Sequence, residues 1–203
     1  GKLRLETDTG DPEQAIEWLT KAADGGNAAA QYALAKCYCD GTYMQKDIQK
    51  AIALFTLSAE QKNEYAAYQL GRLYLSGENI SKDAAAAVRW LTLSSDLGNQ
   101  YAQYALAKLY LAGENVPKDA EAAIRWLTIS AEQGNQYAQY ALGKLYFYDG
   151  DVPHDKEKSL YWLSLSAQQG NVYAQFLIDR ISEYRNPSVL LAATRLMYRL
   201  ENL

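Results

Sequence analysis

Apolar residues recur along this chain at helical spacing, in short runs punctuated by Gly, Pro, Asn and Asp. After Asn99, the residues Ala102, Leu106, Leu109 and Tyr110 fall on one face of a 3.6-residue helix. The run ends at Gly113, which can take the left-handed conformation that closes a helix. After the loop Glu114–Lys118 a second run opens at Asp119, with Ala123, Trp126, Leu127 and Ser130 on its inner stripe, and stops at Gly134. Asn99 and Asp119 stand where a side-chain oxygen can accept from the free N–H groups of a first helical turn. In the first copy of the second type Asp11 is followed by Pro12, and Pro is favoured at the first helical position. The two runs are termed helix A and helix B.

The pair repeats. Asn27, Asn63, Asn99, Asn135 and Asn171 are spaced by 36 residues, and so are Asp11, Asp47, Asp83, Asp119 and Asp155. A constant period of this size marks a stacked array, because a single helix pair cannot bury its own apolar face. The phase predicts a lone B helix over Asp11–Gly25, then four A–B pairs over Asn27–Gln61, Asn63–Leu97, Asn99–Gln133 and Asn135–Gln169. A fifth A helix is expected over Asn171–Tyr184, and a last, off-pattern helix over Ser188–Glu201. The expected organisation is thus a tag or linker remnant at 1–10, where the leading Gly resembles a tag scar, a repeat array at 11–186, and a C-terminal capping helix at 187–203. Helices this short are marginal alone in water, so their stability comes from packing against neighbours.

The candidate core follows from the faces. Ala30, Leu34, Cys37 and Tyr38 are the first-copy equivalents of Ala102, Leu106, Leu109 and Tyr110. Small residues recur at Ala35, Gly71, Ala107 and Gly143, where helices must approach closely. Trp18, Trp90, Trp126 and Trp162 recur in phase on helix B, with Leu54 in their place once, and are expected in the core. Each buried Leu or Trp is expected to contribute roughly 1.5–3 kcal/mol. Ile80, Val116 and Val152 are expected to tuck the A–B loop onto the stack.

These residues carry a resemblance. The pattern A-x-Q-Y-x-L-G/A-x-L-Y-x-x-G, a loop, then D-x-x-x-A-x-x-W-L and a small-residue end before G-N resembles Sel1-like repeats, relatives of the tetratricopeptide repeat, over about Asp11–Tyr184. Departures are Lys62 for the helix-ending Gly, Leu54 for Trp, Ser159 for Ala, and Gly150 shifted by one place. The resemblance implies an all-α, right-handed α-solenoid acting as an adaptor for protein complexes, without catalysis of its own. The tail from Asn186 to Met197 also resembles the C-terminal parts of mobilisation relaxases from Gram-positive bacteria.

In solenoids of the kind this resemblance implies, A helices line the concave surface. Opposite their core face lie Tyr101, Tyr104 and Lys108, repeated as Tyr65, Tyr68 and Arg72, as Tyr137, Tyr140 and Lys144, and as Tyr173, Phe176 and Arg180; the first copy offers Ala29, Tyr32 and Lys36. The A spans hold five basic residues and three acidic ones (Glu64, Asp179, Glu183), although the whole chain carries net charge −4. Tyr combines large contact area with low rotamer cost, and Lys or Arg beside it can take a carboxylate. The reading is a non-catalytic scaffold holding a protein or peptide partner of acidic character in a Tyr/Lys-lined groove. A competing reading is that these tyrosines only pack against those of the next helix.

Other chemistries fare worse. His154 is the only histidine and lies in a loop beside Pro153, so no metal ligand set is expected. Cys37 and Cys39 lack C-x-x-C spacing and read as reduced, small hydrophobic residues in a cytoplasmic protein. No nucleophile–base arrangement, phosphate loop, cofactor motif or membrane-length apolar run is found in the sequence. Single-stranded nucleic acid binding is the alternative that an aromatic and basic ladder raises, and the acidic net charge opposes it. Self-association through Val189, Leu190, Ala193, Leu196, Met197 and Leu200 is the other, within a larger mobilisation protein; a lid on the last repeat, and hence a monomer, is the preferred reading of that helix.

Overall fold

The computed structural model describes residues 12–78, 80–113, 116–148 and 152–183. They form ten helices and, among the described residues, no strand. The B-type helices are α1 (Pro12–Asp24), α3 (Ile48–Glu60), α5 (Ala84–Asp96), α7 (Ala120–Glu132) and α9 (Lys156–Gln168). The A-type helices are α2 (Ala28–Asp40), α4 (Glu64–Ser76), α6 (Gln100–Ala112), α8 (Gln136–Tyr148) and α10 (Val172–Glu183). The fold is an all-α solenoid of tandem helix pairs, as the period predicts. The expected remnant at 1–10 and capping helix at 187–203 lie outside the described residues.

Contacts divide the chain into two compact units, Gly1–Ala102 and Gln103–Leu203, with the boundary inside α6. The apolar clusters respect that division. In the first unit one cluster joins Ala23, Ala30 and Leu34, and another joins Ala35, Phe55, Ala67 and Leu70. In the second, one is built around Ala107, Leu127, Ala138 and Leu142, and another around Leu163, Ala174 and Leu177.

Polar side chains start the helices where the sequence places them. Asn27 Oδ1 accepts from Ala30 N at 2.9 Å, and Asp119 Oδ1 from Ala122 N at 2.9 Å. The A–B loops close the same way each time: the N–H of Asp47, Asp83, Asp119 and Asp155 donates to the carbonyl of Tyr38, Tyr74, Tyr110 and Tyr146. Gly98, Gly134 and Gly170 take positive φ between a B helix and the next A helix. Lys62 holds the same place with φ 65° and bears the steric cost of a Cβ there. Tyr43, exposed in the α2–α3 loop, also has φ 65°.

The close approaches are real, and they reassign the core of helix B. A Cβ added to Gly71 would lie 2.6 Å from Leu91 Cγ, and one added to Gly143 would lie 2.5 Å from Leu163 Cγ. Leu91, Leu127 and Leu163 are fully buried. The tryptophans one residue before them are not core residues: Trp90, Trp126 and Trp162 are half-buried, and Trp18 is 63% exposed. Successive helical residues point about 100° apart, so only one residue of each adjacent pair can face the small residue of helix A, and the register of helix B puts the second of the pair there. In α3 the same register holds, with Phe55 buried at the position of Leu91 and Leu54 at the edge at the position of Trp90. Val152 is buried as expected of a loop anchor, while Ile80 and Val116 are half-buried.

Buried polar side chains tie A to B. Ser58, Ser94 and Ser166 Oγ each donate at 2.7 Å to a first-turn carbonyl of the A helix of their own pair, Ala28, Glu64 and Gln136. Ser159, in place of Ala, donates to the Gly143 carbonyl at 2.8 Å. Gln61 donates to Gln31 at 2.8 Å, Gln133 to Gln103 at 3.3 Å and Gln169 to Gln139 at 2.8 Å. Gln31 and Gln139 pass the link on to the carbonyls of Ala23 and Ala131 of the preceding B helix.

Two stability predictions follow from this packing. Leu127→Ala is expected to lose about 2–5 kcal/mol by urea denaturation, and Trp18→Ala about 0.5 kcal/mol or less; similar losses at both sites refute the assignment of Leu as the core residue. Lys62→Gly is expected to raise stability by about 0.5–1 kcal/mol, because relief at positive φ exceeds the added freedom of the unfolded chain. A lower denaturation midpoint for that variant contradicts the strain at residue 62.

Candidate interaction surface

Helices α4, α6, α8 and α10 carry the candidate residues on the face opposite Ala66, Ala102, Ala138 and Ala174, which are buried. Within each helix the first Tyr is about half exposed: Tyr65 50%, Tyr101 49%, Tyr137 52% and Tyr173 52%. The second aromatic, at Tyr32, Tyr68, Tyr104, Tyr140 and Phe176, is half-buried.

In each unit the structure brings together residues 33 apart, rather than 36. In the first unit Tyr32 meets Tyr65 with ring centroids 6.1 Å apart, and Tyr68 meets Tyr101 at 6.2 Å. In the second, Tyr104 meets Tyr137 at 6.1 Å and Tyr140 meets Tyr173 at 6.3 Å. All four pairs are tilted, a favourable arrangement for two ring quadrupoles. The second aromatic of one A helix therefore seats the first aromatic of the next. Tyr32 belongs to the row, although its own helix has Ala29 where the others carry the first Tyr. The signal for this pairing was the 33-residue separation, the period less one three-residue step.

A cation from the following turn covers the second aromatic of α4, α6, α8 and α10. Arg72 Cζ lies 5.8 Å from the Tyr68 ring centroid, Lys108 Nζ 5.8 Å from that of Tyr104, Lys144 Nζ 5.4 Å from that of Tyr140, and Arg180 Cζ 5.1 Å from that of Phe176. These distances are within cation–π range. Burial pushes the Tyr68 hydroxyl above its usual pKa, and the Arg72 charge opposes that rise. The Glu64 charge, with a hydrogen bond from the phenol, raises Tyr65. Both rings stay neutral at physiological pH, as donors and acceptors.

The charge contrast is smaller than the sequence implied. Helix α2 extends to Asp40, so the A helices carry five basic and four acidic residues. The contrast is sharpest in α6 and α8, which hold Lys108 and Lys144 and no acidic residue.

The remaining candidate residues lie apart from this row in the sequence. Cys37 and Cys39 are free, half-buried thiols, held above the ordinary thiol pKa first by burial and then by the Asp40 charge. His154 is exposed, with its ring 5.5 Å from that of Phe147. Among the described residues no cluster of His, Cys, Asp and Glu could hold a metal, and no helix is long and apolar enough to cross a membrane.

Comparison with curated proteins gives no match. The chain is similar to a Sel1 repeat protein from Oxalobacter formigenes, with 35% identity, a TM-score of 0.77, and coverage of 84% of this chain and 50% of that one. It is also similar to a protective antigen from uropathogenic Escherichia coli strains that displays an SLR fold, with 34% identity, a TM-score of 0.77, and coverage of 81% of this chain and 36% of that one. A third similar structure is the immunity protein Pa5087 from Pseudomonas aeruginosa, at 26% identity and a TM-score of 0.54, covering 92% of this chain and 70% of that one. The chain thus spans half or less of the first two proteins. The Sel1 repeat model matches residues 7–27, 28–63, 64–99, 100–135 and 136–171, five successive segments whose junctions fall between the capping Asn and the A-helix start seen in the structure. With most of its length in those segments, the chain belongs to the Sel1 repeat family.

Proposed function

We propose that the chain is a non-catalytic module that holds a protein or peptide partner against the Tyr and Lys/Arg faces of its A helices. Sel1 repeat proteins are generally protein-interaction scaffolds, and the match to that family supports the general class. The observation that carries the surface assignment is the half-exposed first Tyr of four successive A helices, each seated on a second ring. The seating pre-organises the exposed ring, so a partner that packs on it loses little further side-chain entropy. Tyr and Arg are the residue types that concentrate binding energy at interfaces.

Packing and recognition are compatible roles here. An aromatic pair contributes about 0.5–1.5 kcal/mol beyond its buried area, which leaves half of the outer ring available to a ligand. In the first unit the surface comprises Tyr65, Tyr68, Arg72 and Tyr101, with Tyr32 added by the ring contacts. In the second it comprises Tyr104, Lys108, Tyr137, Tyr140, Lys144, Tyr173 and Arg180. The partner expected is a protein or peptide with acidic residues, the module acting as a monomer in the cytoplasm.

The test is capture from a lysate of the source organism by the immobilised chain, beside a Lys108→Gln, Tyr137→Ser, Lys144→Gln variant. The variant is expected to remain folded, with a stability loss of about 1 kcal/mol from the broken Tyr104–Tyr137 pair. A protein retained by the parent chain and lost by the folded variant supports the surface. Equal retention by both moves recognition away from the A helices of the second unit.

A further inference from the structure

We infer that a cleft between α2 and α4, within the first unit, is a binding site for a short peptide held by both of its charged ends. This goes beyond the partner surface proposed above and does not rest on the tyrosine row. The cleft has a volume of about 720 Å³, within the roughly 300–1,000 Å³ range of small-ligand sites. Its lining comes from the end of α2, the α2–α3 loop, the start of α3, and α4 from its middle onward.

Departures from the repeat converge on this cleft. Gln69 stands where α2, α6 and α8 carry Ala33, Ala105 and Ala141. Cys39 stands where α4, α6 and α8 carry Leu75, Leu111 and Phe147, and Asp40 where they carry Ser76, Ala112 and Tyr148. Ile48 takes the place of Ala84 and Ala120. The exchange at residue 39 has a visible counterpart in the fourth pair. There Phe147 is buried, and its ring lies 5.5 Å from that of His154, which holds the position of Lys46. A ring at this place reaches the loop residue; the smaller Cys39 side chain leaves open the space beside Lys46.

The lining selects a ligand with charges of both signs. Asp40 and Lys46 belong to α2 and its loop, Arg72 and Glu78 to α4 and the residues after it. None of the four takes part in an ion pair among the described residues. A polyanion would meet Asp40 and Glu78, and a simple cation would meet Lys46 and Arg72. A neutral ligand would cover all four charges without pairing them, which costs free energy. A zwitterion pairs both sets. Half-buried Ile48, Leu73 and Leu75 offer apolar surface for a side chain between the charged ends. Gln69 narrows the class further. Its half-buried amide makes no side-chain hydrogen bond among the described residues, and it presents both a donor and an acceptor, the complement of a peptide group. Two charged ends, an apolar side chain and a peptide group together describe a short peptide with free termini.

The test is titration calorimetry of the whole chain with the tripeptide Leu-Ala-Leu, beside its N-acetylated and C-amidated forms and free leucine. The free tripeptide is expected to bind, and each blocked form and leucine to bind about tenfold more weakly. Gln69→Ala restores the residue of α6 and α8, so it is expected to keep the helical circular dichroism while weakening the tripeptide by a similar factor. Alkylation followed by mass spectrometry reads the place: bound peptide slows modification of Cys39, which lines the cleft, and leaves the rate at Cys37 unchanged. Blocked forms that bind at full strength overturn capture by the charged ends. Leucine binding as tightly as the tripeptide overturns the peptide assignment. Unchanged affinity in Gln69→Ala, or equal protection of both thiols, overturns the placement in this cleft. Absence of binding by the tripeptide overturns the inference as a whole. Gln69 and Cys39 lie outside the tyrosine row, so each of these failures leaves the lysate capture to decide the partner surface separately.

Discussion

The close approach of helix A to helix B is the constraint on which the rest of the structure depends. Gly71 and Gly143 leave no room for a Cβ beneath Leu91 and Leu163 without movement. Ala35 and Ala107 share clusters with Phe55 and Leu127 in the same way. A small residue opposite a large apolar one at each pair sets how near the two axes come. That distance in turn decides which polar groups reach each other. The serine links to first-turn carbonyls at 2.7 Å exist only because the B helix is held this close.

Burial of polar groups in so tight a contact is tolerable only when they are paired. The glutamines meet that condition by handing a hydrogen bond from one helix to the next, Gln169 to Gln139 to the Ala131 carbonyl. The second pair has Ala67 and Leu97 at the corresponding positions. Both polar partners are thus replaced together, which avoids leaving one amide buried alone. Each pair can differ in this way because stacked repeats contact only their neighbours.

On the opposite face of the A helices, the same stacking creates the aromatic row. The step from one A helix to the next seats an exposed ring on a half-buried one, and a cation from the following turn covers the half-buried ring. Packing of the tyrosines and their presentation to solvent are therefore one arrangement. A residue whose inner edge is fixed by its neighbour offers its outer edge in a single orientation, which is what a recognition surface requires.

The sequence by itself determined the helix pairs, their ends, the period and the small-residue slots, because these depend on local chemistry: Asn and Asp caps, positive-φ glycines and 3.6-residue spacing. It also identified which A-helix face carries Tyr and Lys. It did not decide which member of each Trp–Leu pair is buried. Both are apolar and adjacent, and only the rotational register of helix B against helix A puts the second of each pair inside, Leu91, Leu127 and Leu163 and, at the same position of α3, Phe55. Nor did it show that Tyr104 meets Tyr137 rather than Tyr140, since a ring contact between helices depends on their offset along the stack. Local propensity sets what each segment is; the separation and offset of packed helices set which side chains meet, and those are properties of tertiary structure alone.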